Sequence, residues 1–362
     1  MNEKEKMAAD ELLDGIRKMA VRPIRLMEVC GTHTVSIFRA GLRQLLPQNV
    51  ELVSGPGCPV CVTADSFMDD AIEYAHKDDV IVATFGDMLK IPGTKSSLGE
   101  AKAEGADVRI VYSSMDCLDI ARENPDKKVV FLAVGFETTA PTAAATVLAA
   151  KAAGIINLYM LSAHKLVPPV MRALLDGGKA RVDGFILPGH VCVVTGTNEY
   201  QFLTDEYHIP GVVAGFEPLQ LMRAIYRLVR QISLGEARVE NEYGDVVEPD
   251  GNPRARQILS EVYEPCEAEW RGIGKIPASG LRMREAYKDY DISYVMPVHT
   301  SLPPKKTACR CGEVLQGLVK PEECPLFGKA CVPEHAVGPC MVSVEGVCAA
   351  WYKYGRNRFT FE

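Results

Sequence analysis

The stretch Val129-Val-Phe-Leu-Ala-Val-Gly-Phe-Glu-Thr-Thr-Ala-Pro141 decides the architecture of this chain. An unbroken apolar run rich in β-branched residues suits a strand buried on both faces, and the glycine-bearing turn after it, ending in Thr and Pro, opens a helix. The same punctuation recurs at Ala83-Thr-Phe-Gly-Asp87 and Val213-Ala-Gly-Phe-Glu-Pro218. Working outward, further apolar runs at Ile24 to Val29, Glu51 to Ser54, Val80 to Thr84, Val108 to Tyr112, Leu158 to Leu161, Gly184 to Leu187 and Gly211 to Ala214 alternate with amphipathic stretches. Alternation of that kind predicts an α/β fold built on parallel sheets.

Two internal echoes predict that the chain holds two related parallel-sheet α/β domains. Gly-Phe-Glu occurs at 135–137 and 215–217, and Val53-Ser-Gly-Pro-Gly-Cys-Pro-Val-Cys-Val-Thr63 pairs with Leu187-Pro-Gly-His-Val-Cys-Val-Val-Thr195. The expected seams are the polar stretch Arg122 to Lys128 and the acidic stretch Gly235 to Asn252. This gives α/β domains over residues 1–124 and 125–240 and a C-terminal cysteine-rich domain over 241–362.

Composition is that of an ordinary globular protein, 47 % hydrophobic and 24 % charged. No apolar run approaches the roughly 18 residues of a membrane span, and Met1 to Lys18 is too charged for a leader. A soluble, cytoplasmic protein is expected. With a net charge of −7 and no basic stripe, no nucleic-acid partner is expected.

Chemistry gathers at the carboxyl ends of strands in open α/β sheets, and two cysteine motifs fall there. Cys30-Gly-Thr-His-Thr34 follows the first strand and begins a helix. A thiolate there is favoured by backbone N–H groups and the helix dipole, with His33 near enough in sequence to serve as base, donor or second ligand. The alternative is a small buried Cys30 with a threonine capping the helix. Gly55-Pro-Gly-Cys-Pro-Val-Cys61 places Cys58 and Cys61 at a spacing that forms a disulfide or shares a metal, and no second pair lies adjacent to complete a zinc site. Gly135 to Pro141 presents Glu137, Thr138 and Thr139 at a helix start without a nucleotide-binding spacing, and His190 lies in a similar turn.

The tail carries six of the twelve cysteines, Cys309, Cys311, Cys324, Cys331, Cys340 and Cys348, within the last 54 residues. A chain of 362 residues does not need disulfides to stabilise a small core, so soft metal is the better owner of these thiols. Four of them can hold a 4Fe-4S cluster and leave two as a dithiol, and zinc on four of the six is the alternative.

Taken together, Cys-Gly-Thr-His-Thr at 30–34, Gly-Pro-Gly-Cys-Pro-Val-Cys at 55–61, Gly-Phe-Glu-Thr-Thr-Ala-Pro at 135–141, Pro-Gly-His-Val at 188–191, Cys-Arg-Cys-Gly-Glu-Val-Leu at 309–315 and Cys-Pro-Leu-Phe-Gly-Lys at 324–329 resemble one family, the hydrogenase maturation factors HypD. The resemblance spans essentially the whole chain. It implies two α/β domains with a cluster-bearing third, and work on the Fe(CN)2CO unit of nickel–iron hydrogenase beside a small HypC-type chaperone and a HypE-type cyanide donor. It further implies that Cys30 holds the Fe(II) that carries CN and CO, and that Cys58 and Cys61 form a redox pair. By the same resemblance a 4Fe-4S cluster sits on Cys309, Cys324, Cys331 and Cys348, with Cys311 and Cys340 as a second pair. Two other functions fit fewer of these motifs: a stand-alone thiol-disulfide oxidoreductase carrying a 4Fe-4S cluster, and a zinc-stabilised binding module.

Overall fold

Each of the eight apolar runs becomes a strand in the computed structural model, which describes residues 3–178, 180–298, 300, 302 and 307–355. The strands are β1 (Ile24–Glu28), β2 (Val50–Ser54), β3 (Val80–Thr84), β4 (Val108–Ile110), β5 (Lys128–Ala133), β6 (Leu158–Ser162), β7 (Gly184–Pro188) and β8 (Gly211–Ala214), followed by a short β9 (Val239–Asn241). They build a five-stranded sheet in the order β2-β1-β7-β8-β9 and a four-stranded sheet in the order β4-β3-β5-β6. Every pairing in both is parallel. The second strand lies on one side of the first and the later strands on the other, so each sheet reverses its winding beside its first strand. Crevices therefore open outside the carboxyl ends of β1 and β7 and of β3 and β5.

The expected boundaries need correction. Residue 124 does not separate the sheets, because β5 pairs with β3 on the far side of that seam. The four strands of the second sheet are inserted between β2 and β7 of the first, and β1 pairs with β7 at Leu26–Gly184. The acidic stretch 235–252 contains β9, the edge of the first sheet. Nor do the echoed strings occupy equivalent places: Gly135–Glu137 follows the third strand of its sheet and Gly215–Glu217 the fourth, while both cysteine-bearing turns belong to the first sheet. What the two units share is the order of winding.

Residues beyond 252 pack across both sheets. Helix Pro253–Val262 lies on helix Ala140–Ala152, and the antiparallel hairpin β10 (Tyr263–Trp270) and β11 (Gly274–Met283) runs toward the cysteine-bearing turns. The hairpin end is pinned by Trp270, fully buried, whose Nε1–H donates to Ser279 Oγ at 2.8 Å. The tail docks on the first sheet through Arg43, whose guanidinium lies 4.8 Å from the Phe38 ring and 5.5 Å from the Trp351 ring. Lys320 adds an ion pair with Glu51 at 2.9 Å.

Arg43 also pairs with Glu28, which is fully buried on β1 and accepts from Ser54 Oγ at 2.8 Å. Removing the guanidinium leaves a buried carboxylate without its cation. Arg43→Met is expected to cost roughly 3–5 kcal/mol, read as a lower urea midpoint, and adding Glu28→Gln should recover part of the loss. A cost below about 1 kcal/mol for the single variant would show the pair to be screened as a surface pair is.

Candidate functional site

Cys30 ends the β1 segment in extended conformation (φ −146°, ψ 125°) and is the N-cap of helix Gly31–Arg39. Backbone N–H groups of Thr32 and His33 and the Thr32 hydroxyl face its sulfur and favour the thiolate, although none closes a formal capping hydrogen bond. Burial outweighs them, and with Glu345 adding its negative charge the thiol is pushed up to about 11. Cys30 is half-buried and borders a cleft of about 510 Å³ lined also by Phe85, Thr138, Thr139, His190 and Glu345. Phe85 and the two threonines come from the strand ends of the second sheet and His190 from the first, so the cleft lies where the two crevices face each other.

Glu345 is a cleft residue that sequence reasoning missed. Its carboxylate accepts from Thr32 Oγ1 at 2.6 Å across a separation of 313 residues, and no local pattern signals such a contact. Thr138, Thr139 and His190 line the cleft as the strand-end argument suggested. Glu137 instead lies behind the wall: Oε1 accepts from the Val167 N–H at 2.8 Å and Oε2 is buried without a partner. His33 is a further correction. Its ring is fully buried, with Nε2 donating toward the carbonyls of Ala214 and Gly215 at 3.1 Å each and the ring 4.8 Å from that of Phe216. Burial lowers it to about 4, and its Nε2 contacts fasten the helix to the end of β8, while Nδ1 is buried without a partner.

Cys58 and Cys61 form a disulfide at the start of the short helix Pro59–Val62, both fully buried. On one side Gly57 meets Cys30: the Gly31 N–H donates to the Gly57 carbonyl at 3.0 Å, and a Cβ on Gly57 would stand 2.4 Å from the Cys30 backbone nitrogen. On the other side Cys61 Sγ lies 3.9 Å from the carbonyl oxygen of Pro339, the residue before Cys340. The pair is thus interposed between Cys30 and the tail.

The six tail cysteines converge on one apolar pocket that they line with Phe327, Gly338 and Met341. The Cys311 thiol lies close to those of Cys309 and Cys340. Burial pushes Cys348 up, and the proximity of Cys311, Cys309, Cys331 and Cys324 adds to it. The Val337 N–H donates to Cys331 Sγ at 3.3 Å. Among the described residues no group of three His, Cys, Asp or Glu side chains stands ready-made to hold a single ion. The fit to a thiolate-bound cluster rests on the all-sulfur donor set and the apolar enclosure. A larger groove, about 1210 Å³ along the outer edge of β2, holds Arg25, Arg43 and Lys320 but no cysteine. Those three cations are engaged by Glu51, Glu28 and the Gly317 carbonyl.

A sequence model of the HypD family, described as "Hydrogenase formation hypA family", matches residues 7–355. The chain is 48 % identical to the hydrogenase maturation factor HypD of Escherichia coli (strain K12) over 342 residues, covering 92 % of this chain and 90 % of that protein. It is 46 % identical to the hydrogenase maturation factor HypD of Rhodobacter capsulatus over 352 residues, 96 % and 93 % of the two chains. It is 42 % identical to a putative hydrogenase expression/formation protein of Methanocaldococcus jannaschii over 362 residues, 98 % and 99 % of the two chains. No helix among the described residues is long and apolar enough to cross a membrane.

Glu137 supplies a pH signature for this wall. Burial raises its carboxyl to about 7, so the folded chain keeps a proton that the unfolded chain releases near the ordinary carboxyl value. Stability contributed by this group is therefore full at low pH and lost as pH rises toward 7. Relative to Glu137→Gln, the wild type is expected to lose roughly 2–3 kcal/mol between pH 5 and pH 8. Urea unfolding at both values checks this, and parallel profiles would mean the carboxyl is solvated.

Proposed function

The chain belongs to the HypD family of hydrogenase maturation factors, and from that footing we propose that it is a redox-active scaffold on which the Fe(CN)2CO unit of nickel–iron hydrogenase is assembled. The observation that carries this reading is the order of sulfurs in space, with Cys30 at the cleft, the Cys58/Cys61 pair behind it and the tail thiols behind that. Fe(II) is the cargo. Cys30 anchors it as a soft thiolate ligand shared with a cysteine of a HypC-type partner, and a metal cation offsets the burial that otherwise keeps this thiol protonated. The cleft admits the partner's sulfur and the cyanide carried by a HypE-type donor.

Cyanide delivered as a thiocyanate needs two electrons to leave as cyanide and a thiolate. Oxidation of the Cys58/Cys61 dithiol to its disulfide supplies both electrons and releases two protons. The Cys311/Cys340 dithiol resets that pair by thiol-disulfide exchange, breaking the Cys58–Cys61 bond and forming its own. Cys309, Cys324, Cys331 and Cys348 would hold a 4Fe-4S cluster, which when bound supplies single electrons at a buried site. Thr138, Thr139 and His190 border the cargo, and Glu345 fixes Thr32 beside Cys30. A chemistry that depends on reduced thiols suits the cytoplasm.

Cys30→Ala, purified without oxygen alongside the wild type, tests the assignment. The variant is expected to lose the CO and CN infrared bands while retaining about four irons and four sulfides per chain. Bands of normal intensity in the variant would remove Cys30 as the anchor. Zinc without sulfide in the wild type would remove the cluster.

A further inference from the structure

The β10–β11 hairpin brings a buried lysine and a cysteine into one row, away from the cleft and the tail pocket. Lys165 follows β6, where its backbone N–H donates to the Gly135 carbonyl at 2.9 Å and the N–H of Leu166 donates to the Ser279 carbonyl at 2.9 Å. Lys165 thereby pairs antiparallel with Gly280 of β11, and Gly280 pairs on its other edge with Cys266 of β10. Residues directly opposite one another across strands project to the same face, so Lys165 and Cys266 flank Gly280 on one face.

Gly280 puts no side chain between them. A Cβ there would stand 3.5 Å from Cys266 Sγ and 3.4 Å from the His164 carbonyl oxygen, with Ala268 Cβ at 2.6 Å closing one end of the gap. The sulfur therefore lies over the glycine, toward the segment that carries Lys165. With neighbouring strands about 4.8 Å apart, the two side chains start roughly 10 Å apart, and the four-carbon stem of a lysine crosses most of that distance.

Neither group is otherwise engaged. Lys165 is 5 % exposed, and its ammonium forms no hydrogen bond or ion pair among the described residues. Cys266 is half-buried and has no disulfide partner. Burial lowers Lys165 to about 8, with the charges of Cys266 and Glu269 offsetting part of the fall, and burial raises Cys266 against the pull of Arg282 and Lys165. Both groups are pushed toward their neutral forms, an amine and a thiol, so burial works against an ion pair and not against a neutral covalent link.

We infer that Lys165 and Cys266 form an oxidation-dependent covalent bridge, Nζ–O–Sγ, that staples the hairpin to the end of β6. Hydrogen peroxide is the oxidant. A first molecule converts the Cys266 thiol to a sulfenic acid and leaves as water. The sulfenic oxygen then bonds to Nζ: one N–H and the O–H bond break, the N–O bond forms, and the two electrons and two protons released reduce a second peroxide to two waters. The half-buried sulfur admits the oxidant, and the buried amine traps the sulfenic acid before it is oxidised further. The far end of the hairpin holds the Val62 carbonyl, next to Cys61, through the Arg271 N–H at 2.9 Å. The staple thus fixes the support of the Cys58–Cys61 turn while oxidant is present, and a thiol reductant releases it.

The test treats the full-length protein, purified without oxygen, with hydrogen peroxide and maps its proteolytic peptides by mass spectrometry without reductant. The wild type is expected to yield a Lys165 peptide joined to a Cys266 peptide, one oxygen heavier and two hydrogens lighter than their sum, and to lose that species in dithiothreitol. Lys165→Met and Cys266→Ser should each lose it completely, and in Lys165→Met the Cys266 thiol should run on to sulfinic acid. Cys266 left unmodified in the wild type, or carried to sulfinic acid or a disulfide with no joined peptide, would overturn the bridge. A joined species that persists in Lys165→Met through another lysine would overturn the pairing. If Lys165→Met does not fold, the wild-type map decides.

Discussion

The sulfur architecture hangs on backbone meeting backbone where a side chain would intervene. Gly57 crosses Cys30 with no room for a Cβ, and Gly31 crosses the Glu345 carbonyl, where a Cβ would stand 2.4 Å from the oxygen. These two contacts tie the turn after β2, the turn after β1 and the tail into one knot. Glycine is required there because any side chain would force the loops apart, and separation would carry Cys58 away from Cys30 and Glu345 away from Thr32. The rigidity of the parallel sheets matters to function because it holds the ends of the strands that carry these loops.

The sulfurs occupy two kinds of surroundings. Cys30 borders the cleft, with helix N–H groups and the Glu345 carboxylate near it. The tail sulfurs line an apolar pocket instead. On the proposed reading, a site open to the cleft suits a metal cation that is loaded and released, and an apolar pocket suits sulfurs that keep what they hold.

The strands were legible because β-branched runs ended by glycine turns are a local signal, and all eight fall within a residue or two of where the pattern puts them. The partition into sheets was not, because it depends on pairs such as Leu26 with Gly184 that no local pattern records. Cysteine spacing likewise disclosed which residues carry chemistry without disclosing their neighbours. His33 shows how the shortest inference fails. A separation of three residues puts side chains on one face within a helix, but Cys30 is extended and outside the helical frame, so its sulfur turns into the cleft while the His33 ring turns to β8. Glu345 left no local trace, since a turn glutamate in sequence looks like a solvated surface residue.

The insertion of the second sheet between β2 and β7 ties the two facing crevices together. Both connections to the inserted sheet start from strands adjacent to β1, so the facing crevices are anchored at two points, and the hairpin and tail add a third. Cys58, Cys61, Cys311, Cys331, Cys340 and Cys348 then share one continuous apolar core with Trp270 and strands of the first sheet. Packed cores permit small rotamer changes and resist larger displacement. On the proposed reading, exchange between the Cys311/Cys340 and Cys58/Cys61 pairs would proceed by local movement of the Cys340 and Cys61 side chains across the Pro339 contact. Cys61, Pro339 and Cys340 are all buried, which on the same reading shields the dithiols from outside oxidants and leaves the cleft as a partner's route to them.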